Sequence, residues 1–218
     1  MKFSLDIETI PNSSMVDKLP EPELKLGNVK DPEKIAAKEA EAKQKQIESM
    51  ALNPFYGRVC SYATAGDFES VRCIVWDNDE EERILIECIF NDLTASNTEN
   101  ITVITWNGNG FDLPFIYKRA ALLGVKMPTG CRPLSYWTKR YSAHPHCDMM
   151  KVMCNWEPQG IKLDDAAKCF LGRSKIEIDF RDLPKMIADK NINELKAYNL
   201  EDAKFTWEIY QKTKQYFI

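Results

Sequence analysis

Met1-Lys2-Phe3-Ser4-Leu5-Asp6-Ile7-Glu8-Thr9 opens the chain, and its alternation governs how the rest is read. Phe3, Leu5 and Ile7 form one alternating set, the pattern of a buried strand. Asp6 and Glu8 fall in the other set. Residues two apart on a strand point to the same face, about 6.5–7 Å from each other. Like charges on so apolar a strand repel each other and lose hydration unless a cation lies between them. Oxygen-only ligands of this kind suit Mg²⁺ or Mn²⁺ rather than zinc. The same nine residues also suit a strand that ends at Leu5 with both acids in water, so the rest of the chain has to decide.

A length of 218 residues with 44% hydrophobic content suffices for one large domain or two small ones with a proper core. Helix-like and strand-like stretches alternate, which predicts an α/β architecture. No run of 18 apolar residues and no leader with a small-residue cleavage site is present, so the expectation is a protein neither membrane-spanning nor secreted. Seven cysteines, without a Cys-x-x-Cys pair, point to reduced thiols and a cytoplasmic location. The net charge of −4 gives no hint of nucleic acid, but its distribution does. From Leu113 to Cys147 there is no acid, while Lys118, Arg119, Lys126, Arg132, Lys139 and Arg140 all fall inside. Averages hide a polarised surface.

After the first strand, Ile10–Asp31 reads as a loop rich in Pro and charge. Pro32–Ala51 reads as a helix entered at Pro32, with a weak apolar stripe and a mostly solvated face. This loop and helix form an insertion, residues 10–52, within a single predicted domain 1–218. Arg58–Ala65 and Val71–Trp76 are expected strands around a turn at Gly66 and Asp67. The acids of Asp77–Glu82 suit the start of a helix over Glu80–Leu93. Ile101–Thr105 is a fourth strand, and the turn Trp106-Asn107-Gly108-Asn109-Gly110-Phe111-Asp112 leads into a helix, Leu113–Leu123. A strand, a Gly/Asn turn and a helix in that order build sites in open α/β sheets. Pro128–Pro145 reads as loop, Asp148–Cys154 as a strand or short helix, and Lys162–Leu171 as a helix. A segment at Leu183–Asp189 precedes a last helix from about Ile192 to Tyr216.

On that last helix Tyr198 and Asp202 are four apart and share a face. An acid on the core face of a helix is costly if alone. Asp6, Glu8, Asp112 and Asp202 thus form a set of four acids in elements expected near the sheet centre. Such a set can hold two divalent ions for phosphoryl-ester cleavage.

Asp6-Ile7-Glu8-Thr9, then Asn107-x-x-x-Phe111-Asp112, then Tyr198-x-x-x-Asp202 resemble the three motifs of the DEDD exonucleases of the tyrosine subtype. The similarity is greatest to the proofreading 3′–5′ exonuclease domain of family-B DNA polymerases and its stand-alone predicted-exonuclease relatives. The histidine subtype would need His at position 197, which is Ala197. The resemblance implies a ribonuclease-H-like fold with a central mixed sheet, and two divalent cations, Mg²⁺ or Mn²⁺, as cofactors. By the same resemblance Asp6 bridges both ions, Glu8 and Asp202 hold the one that activates water, and Asp112 supports the other. Tyr198 orients the water, and Thr9, Asn107 and Phe111 lie by the 3′-terminal nucleotides.

The acid-free stretch follows directly after Asp112 and mixes Tyr136, Trp137 and Tyr141 with Lys139 and Arg140. Aromatics among basic residues are what a single-strand groove uses, although the same residues suit an exposed loop over core aromatics. Phe111 is also a natural core residue, and Asn107, Gly108 and Gly110 suit a plain turn. His144, His146, Cys147 and Cys154 match no common zinc spacing. Asp148 could support the site from behind, whereas Asp164 and Asp165 suit a first helical turn. The expected activity is removal of nucleotides from 3′ ends of single-stranded DNA. Alternatives are RNA trimming on the same fold and a binding module without catalysis. Expected partners are single-stranded nucleic acid and a replication or repair protein supplying any polymerase in trans, with no membrane.

Overall fold

Strand β1, Lys2–Pro11, is the middle strand of a five-stranded sheet. The computed structural model describes residues 1–24, 31–94 and 101–218, so part of the predicted 10–31 loop, residues 25–30, lies outside the described residues. Strands β2 (Gly57–Gly66), β3 (Ser70–Cys73), β4 (Thr102–Thr105) and β5 (His146–Asp148) complete the sheet in the order β3-β2-β1-β4-β5. β2 runs antiparallel to both neighbours, while β1, β4 and β5 are mutually parallel. This mixed sheet with helices on its faces is the ribonuclease-H-like arrangement the motifs imply.

The alternation in β1 sorts its two faces. Phe3, Leu5 and Ile7 enter the main core with Ile86, Ile89 and Phe90 of α2 (Asp79–Asp92) and with Leu113, Phe115 and Ile116 of α3 (Asp112–Leu123). Ser4, on the opposite face, donates to the Ala203 carbonyl of the last helix, α8 (Ile192–Phe217), at 2.7 Å. Where that helix crosses the sheet the buried centre of the packing is small, Ala63, Ala65 and Ala203, with Val71, Leu200 and Trp207 around it. Asp6 is the register partner of Ala63 and Glu8 of Ser61; the ladder then skips Cys60 and resumes at Thr9 with Val59. Such a bulge bends the strand locally, and bulges recur beside active sites.

The remaining helices are α1 (Pro32–Met50), α4 (Leu134–Trp137), α5 (Met149–Met153), α6 (Leu163–Leu171) and α7 (Leu183–Ala188). α1 starts where Pro32 predicts, capped by Asp31, and stays largely solvated. Several boundaries differ from the sequence reading. A 3-10 turn, Ser13–Lys18, interrupts the first loop, and α4 lies in a stretch read as loop. The apolar stretch 148–154 is helical from Met149, and the strand there, His146–Asp148, begins two residues earlier and ends at Asp148. Asp148 accepts from the Lys151 N–H and so caps that helix. β3 stops at Cys73, leaving Trp76 outside the sheet beneath the Lys190 ammonium.

Two corrections concern charge. Arg119, counted in the basic stretch, is buried and makes a two-pronged contact with the fully buried Glu82 at 2.8 and 2.7 Å. Arg58, also buried, reaches Asp77 and Asp79. The acidic run at 77–82 therefore neutralises buried arginines as well as opening a helix.

Candidate active site

β1 and α8 build the centre of the site between them. Asp6 and Glu8 leave β1 toward α8, and Asp202 leaves α8 toward β1. Carboxylate oxygens of the three lie within 4.8 Å of one another, the one grouping of three or more ligating side chains found among the described residues. Asp112 heads α3 on the other flank of β1, where its Oδ1 accepts the Ile7 N–H at 3.2 Å. A carboxylate bonded to the backbone between Asp6 and Glu8 is locked to the strand that carries them.

The electrostatics are those of crowded acids. Burial above all, then Asp202, Glu8 and Asp112, pushes Asp6 well above the usual carboxylate range. Glu8 rises to about 8, from burial first and then the Asp202 charge. Asp112 rises to about 7 by burial, held down in part by the N–H groups of its own residue and Ile7. Asp202 rises to about 6 by burial, against the pull of Lys175. Tyr198, one turn before Asp202, is raised by burial and by Glu8, Asp202 and Asp6, so its hydroxyl keeps its proton and can donate.

Two residues of this centre escape the sequence reading. Asn199 is fully buried; its amide donates to Asp6 Oδ2 at 2.7 Å and accepts from Ser61 at 2.6 Å, fixing Asp6 from α8 and β2 together. Its signal was a polar residue on an apolar helical stripe. Lys175 donates to Asp202 Oδ2 and lies 5.3 Å from the Tyr198 ring centre. Burial works against its charge, yet Asp202, Asp6 and Glu8 hold it above the usual lysine value. Its backbone N–H is fixed by Asp164 Oδ1 at 3.0 Å, so Asp164 does more than open a helix.

Among the described residues Lys175 is the one cation ion-paired with any of the four acids, which leaves the cluster short of positive charge, and Asp202 Oδ1 is buried without a hydrogen-bond partner. Oxygen-only donors, three of them converging, fit a hard divalent cation.

The turn after β4 sits beside this centre. Asn107 adopts φ +69°, a left-handed conformation that asparagine tolerates better than most residues. Gly108 has no alternative: a Cβ there would meet Thr105 Oγ1 at 2.2 Å. Asp148 accepts the N–H groups of Asn107 and Asn109 at 3.0 and 2.9 Å, supporting the turn from behind. His146 donates from Nδ1 to the Trp137 carbonyl and accepts from Thr105 through Nε2, while Thr105 in turn accepts the Gly108 N–H. Burial lowers its pKa to about 4 and keeps it neutral. His144 instead pairs with Thr102, and Cys147 packs in the second core cluster beside Met149, so neither joins a metal group. Asn107 also walls a cleft of about 520 Å³ that reaches Lys175, with Trp106, Met150 and Ile161.

The other expected substrate contacts are placed variously. The Thr9 hydroxyl is engaged by the Ala51 carbonyl at 2.7 Å. Phe111 is half-buried, its ring 5.4 Å from Phe115. Lys139 and Arg140 are exposed, over the rings of Tyr136 and Tyr141. Trp137 is core, not groove.

Sheet order and site together define a ribonuclease-H-like protein with an acidic, cation-ready centre. Residues 52–217 match the family model of predicted 3′–5′ exonucleases related to the exonuclease domain of PolB, and the chain belongs to that family. It is 31% identical over 120 residues to DNA polymerase 1 of Aeropyrum pernix, covering 49% of this chain and 12% of that one. DNA polymerase 1 of Saccharolobus solfataricus is 33% identical over 119 residues, 49% of this chain and 13% of its own. The catalytic subunit of DNA polymerase epsilon from Eremothecium gossypii is 30% identical over 146 residues, 65% and 7% of the two chains. The chain thus spans a small fraction of these curated relatives. In fold it resembles the family B DNA polymerase of Pyrobaculum calidifontis, with TM-score 0.61 and 15% identity over 98% of this chain and 24% of that one.

Proposed function

We propose that this chain removes nucleotides from the 3′ ends of single-stranded DNA by metal-assisted phosphodiester hydrolysis. The observation that carries the reading is the convergence of Asp6, Glu8 and Asp202 within 4.8 Å, with Asp112 bonded to the same strand and Tyr198 one turn from Asp202. Asp6, Glu8 and Asp202 would hold one Mg²⁺ or Mn²⁺, and Asp6 with Asp112 a second. Such ions supply an activated water and offset charge on the phosphate.

The chain's own groups do the positioning. Asn199 fixes the Asp6 carboxylate in one orientation. The protonated Tyr198 hydroxyl offers a hydrogen bond to an attacking water. Lys175 brings a positive charge beside Asp202 in the wall of the 520 Å³ cleft, a volume within the range of ligand pockets. Exposed Lys139 and Arg140 supply backbone neutralisation for an incoming strand. The relatives are DNA polymerases, so a replication or repair protein acting on the same 3′ end is the proposed partner. Seven unpaired cysteines support a reducing, cytoplasmic setting.

The test uses 3′- and 5′-labelled single-stranded DNA and RNA with Mg²⁺, Mn²⁺ or EDTA, comparing wild type with Asp6→Ala. Stepwise shortening of DNA from the 3′ end, dependent on metal and on Asp6, supports the reading. Faster trimming of RNA would reassign the substrate, and cleavage of circular single strands would refute exonuclease action.

A further inference from the structure

The turn that carries Asn107 walls a second cleft, of about 650 Å³. Asn109 and Gly110 form one side, Arg140 and Tyr141 another, and Lys151 and Trp156 a third. Gly110 is two residues from Asp112, so its Cα lies within about 7.6 Å of that acid's Cα. The link to the acidic centre is rigid. Asp148 binds the N–H groups of Asn107, Asn109 and Lys151 at once, fixing the walls of both clefts with one carboxylate.

The cleft's chemistry is aromatic and basic. Tyr141 is 70% exposed, its ring 5.3 Å from that of Trp156 at an interplanar angle of 59°. The Arg140 guanidinium lies 4.9 Å from the Tyr141 ring centre. Tyr141, Asn155 and Trp156 all have left-handed backbones, at φ +60°, +49° and +63°. For bulky aromatics this is a true outlier, and such strain concentrates at ligand clamps. Asn109 contributes an amide whose buried donor and acceptor lack hydrogen-bond partners. One acid, Glu157, lies among the lining residues, and Arg140 and Lys151 outnumber it.

We infer that this cleft is a nucleobase subsite for the substrate strand. A base 5′ of the nucleotide being released stacks on Tyr141 and Trp156, and Arg140 and Lys151 neutralise its flanking phosphates. Stacking on aromatics beside a basic track is how single strands are held without reading sequence. The inference rests on the function proposed above: a strand whose 3′ end lies at the acids can continue only in its 5′ direction. Gly110 places the cleft next to that end.

The experiment measures binding in EDTA of a 5′-fluorescein-labelled single-stranded oligodeoxynucleotide of roughly ten residues, a length within single-strand site sizes. Tyr141→Ala and Trp156→Ala are each expected to weaken binding by about 5- to 150-fold, the loss of one stacked base. In parallel, unlabelled oligonucleotide quenches tryptophan emission of the wild type, and Trp156→Phe removes most of that quenching. Trp156→Phe preserves an aromatic ring, so this arm decides even if Trp156→Ala fails to fold. Wild-type affinity in both alanine variants, with quenching intact in Trp156→Phe, overturns the subsite. If the wild type shortens 3′ ends under those circumstances, the proposed function survives without it. A wild type that neither binds nor shortens the strand overturns both.

Discussion

Replacing Glu8 by Gln separates what the acidic centre does for catalysis from what it does to stability. Glu8 lies within 4.8 Å of Asp6 and Asp202, and its pKa rises from 4.5 to about 8. A group whose folded pKa is raised contributes stability below its unfolded value and loses it as pH rises through the folded one. In metal-free protein the charged Glu8 is therefore a burden above pH 8. A shift of that size corresponds to at most about 5 kcal/mol. Glu8 is only partly shielded from water, and solvent screening brings the expectation to roughly 2–3 kcal/mol. In EDTA at pH 9, Glu8→Gln should melt about 5–10 °C above wild type, at 2–4 °C per kcal/mol for a chain of this size. The advantage should shrink as pH falls and nearly vanish by pH 4.5, where Glu8 is protonated when folded. Adding Mn²⁺ should erase most of that advantage. At 100 times its dissociation constant a ligand stabilises by about 2.7 kcal/mol, and Glu8→Gln should gain much less of this than wild type while losing turnover. The assay is a series of thermal melts across pH, with and without metal. An offset independent of pH, or a variant less stable than wild type at pH 9, would refute the reasoning and make Glu8 an ordinary solvated acid.

Three further outcomes follow from neighbouring contacts. Gly108→Ala drives a methyl group into buried Thr105, so the turn must shift; a displacement near 1 Å predicts about a 100-fold loss of exonuclease rate, and unchanged kinetics would show that the turn does not position substrate. His146, neutral in the fold with its pKa lowered from 6.5 to about 4, binds a proton on unfolding as pH drops below 6.5. The His146 contribution to stability should therefore be full above pH 6.5 and decline by up to about 3 kcal/mol toward pH 4. Urea melts of wild type against His146→Gln isolate that slope, which should be absent from the variant. Lys139→Ala combined with Arg140→Ala should reduce the salt dependence of single-strand binding by about 1.4 in log–log slope, two contacts at 0.7 each; an unaltered salt titration would place both residues off the strand path.

Much of this centre was legible because its residues obey local periods. Asp6 and Glu8 break a two-residue alternation, and Tyr198 and Asp202 mark one helical face, so each pair announces its direction without knowledge of the fold. Lys175 obeys no period. It sits in an irregular connection and acquires meaning only when folding sets its ammonium against Asp202, 27 residues away. Asn199 was visible as a polar residue on a core stripe, but its role needs Asp6 opposite it, 193 residues earlier. Arg119 misleads in the reverse sense: its sequence neighbours are basic and acid-free, while its partner Glu82 comes from another helix. Trp137 suited either a groove or the core by its sequence neighbours, and only the fold buries it. Long-range pairing, which sequence spacing does not encode, accounts for each of these.

Bringing the acids so close requires α8 to lie low on the sheet, and side-chain volume decides whether it can. At the centre of the contact are Ala63 and Ala65 from β2 and Ala203 from α8, flanked by Val71, Leu200 and Trp207, while Ser4 on β1 adds a hydrogen bond to the Ala203 carbonyl. Small side chains permit that approach. Asp6 pairs in register with Ala63, so a small packing residue on β2 sits beside the acid that must meet the helix. Asp202 precedes Ala203 directly and is set down by the same contact. The opposite face of β1 carries Phe3, Leu5 and Ile7 against α2 and α3, where large apolar volume supplies the stability that a cluster of like charges erodes. The two faces of β1 therefore serve two tasks: its bulky residues hold the sheet together on one, and on the other its carboxylates meet a helix that the alanines of β2 and α8 let come close.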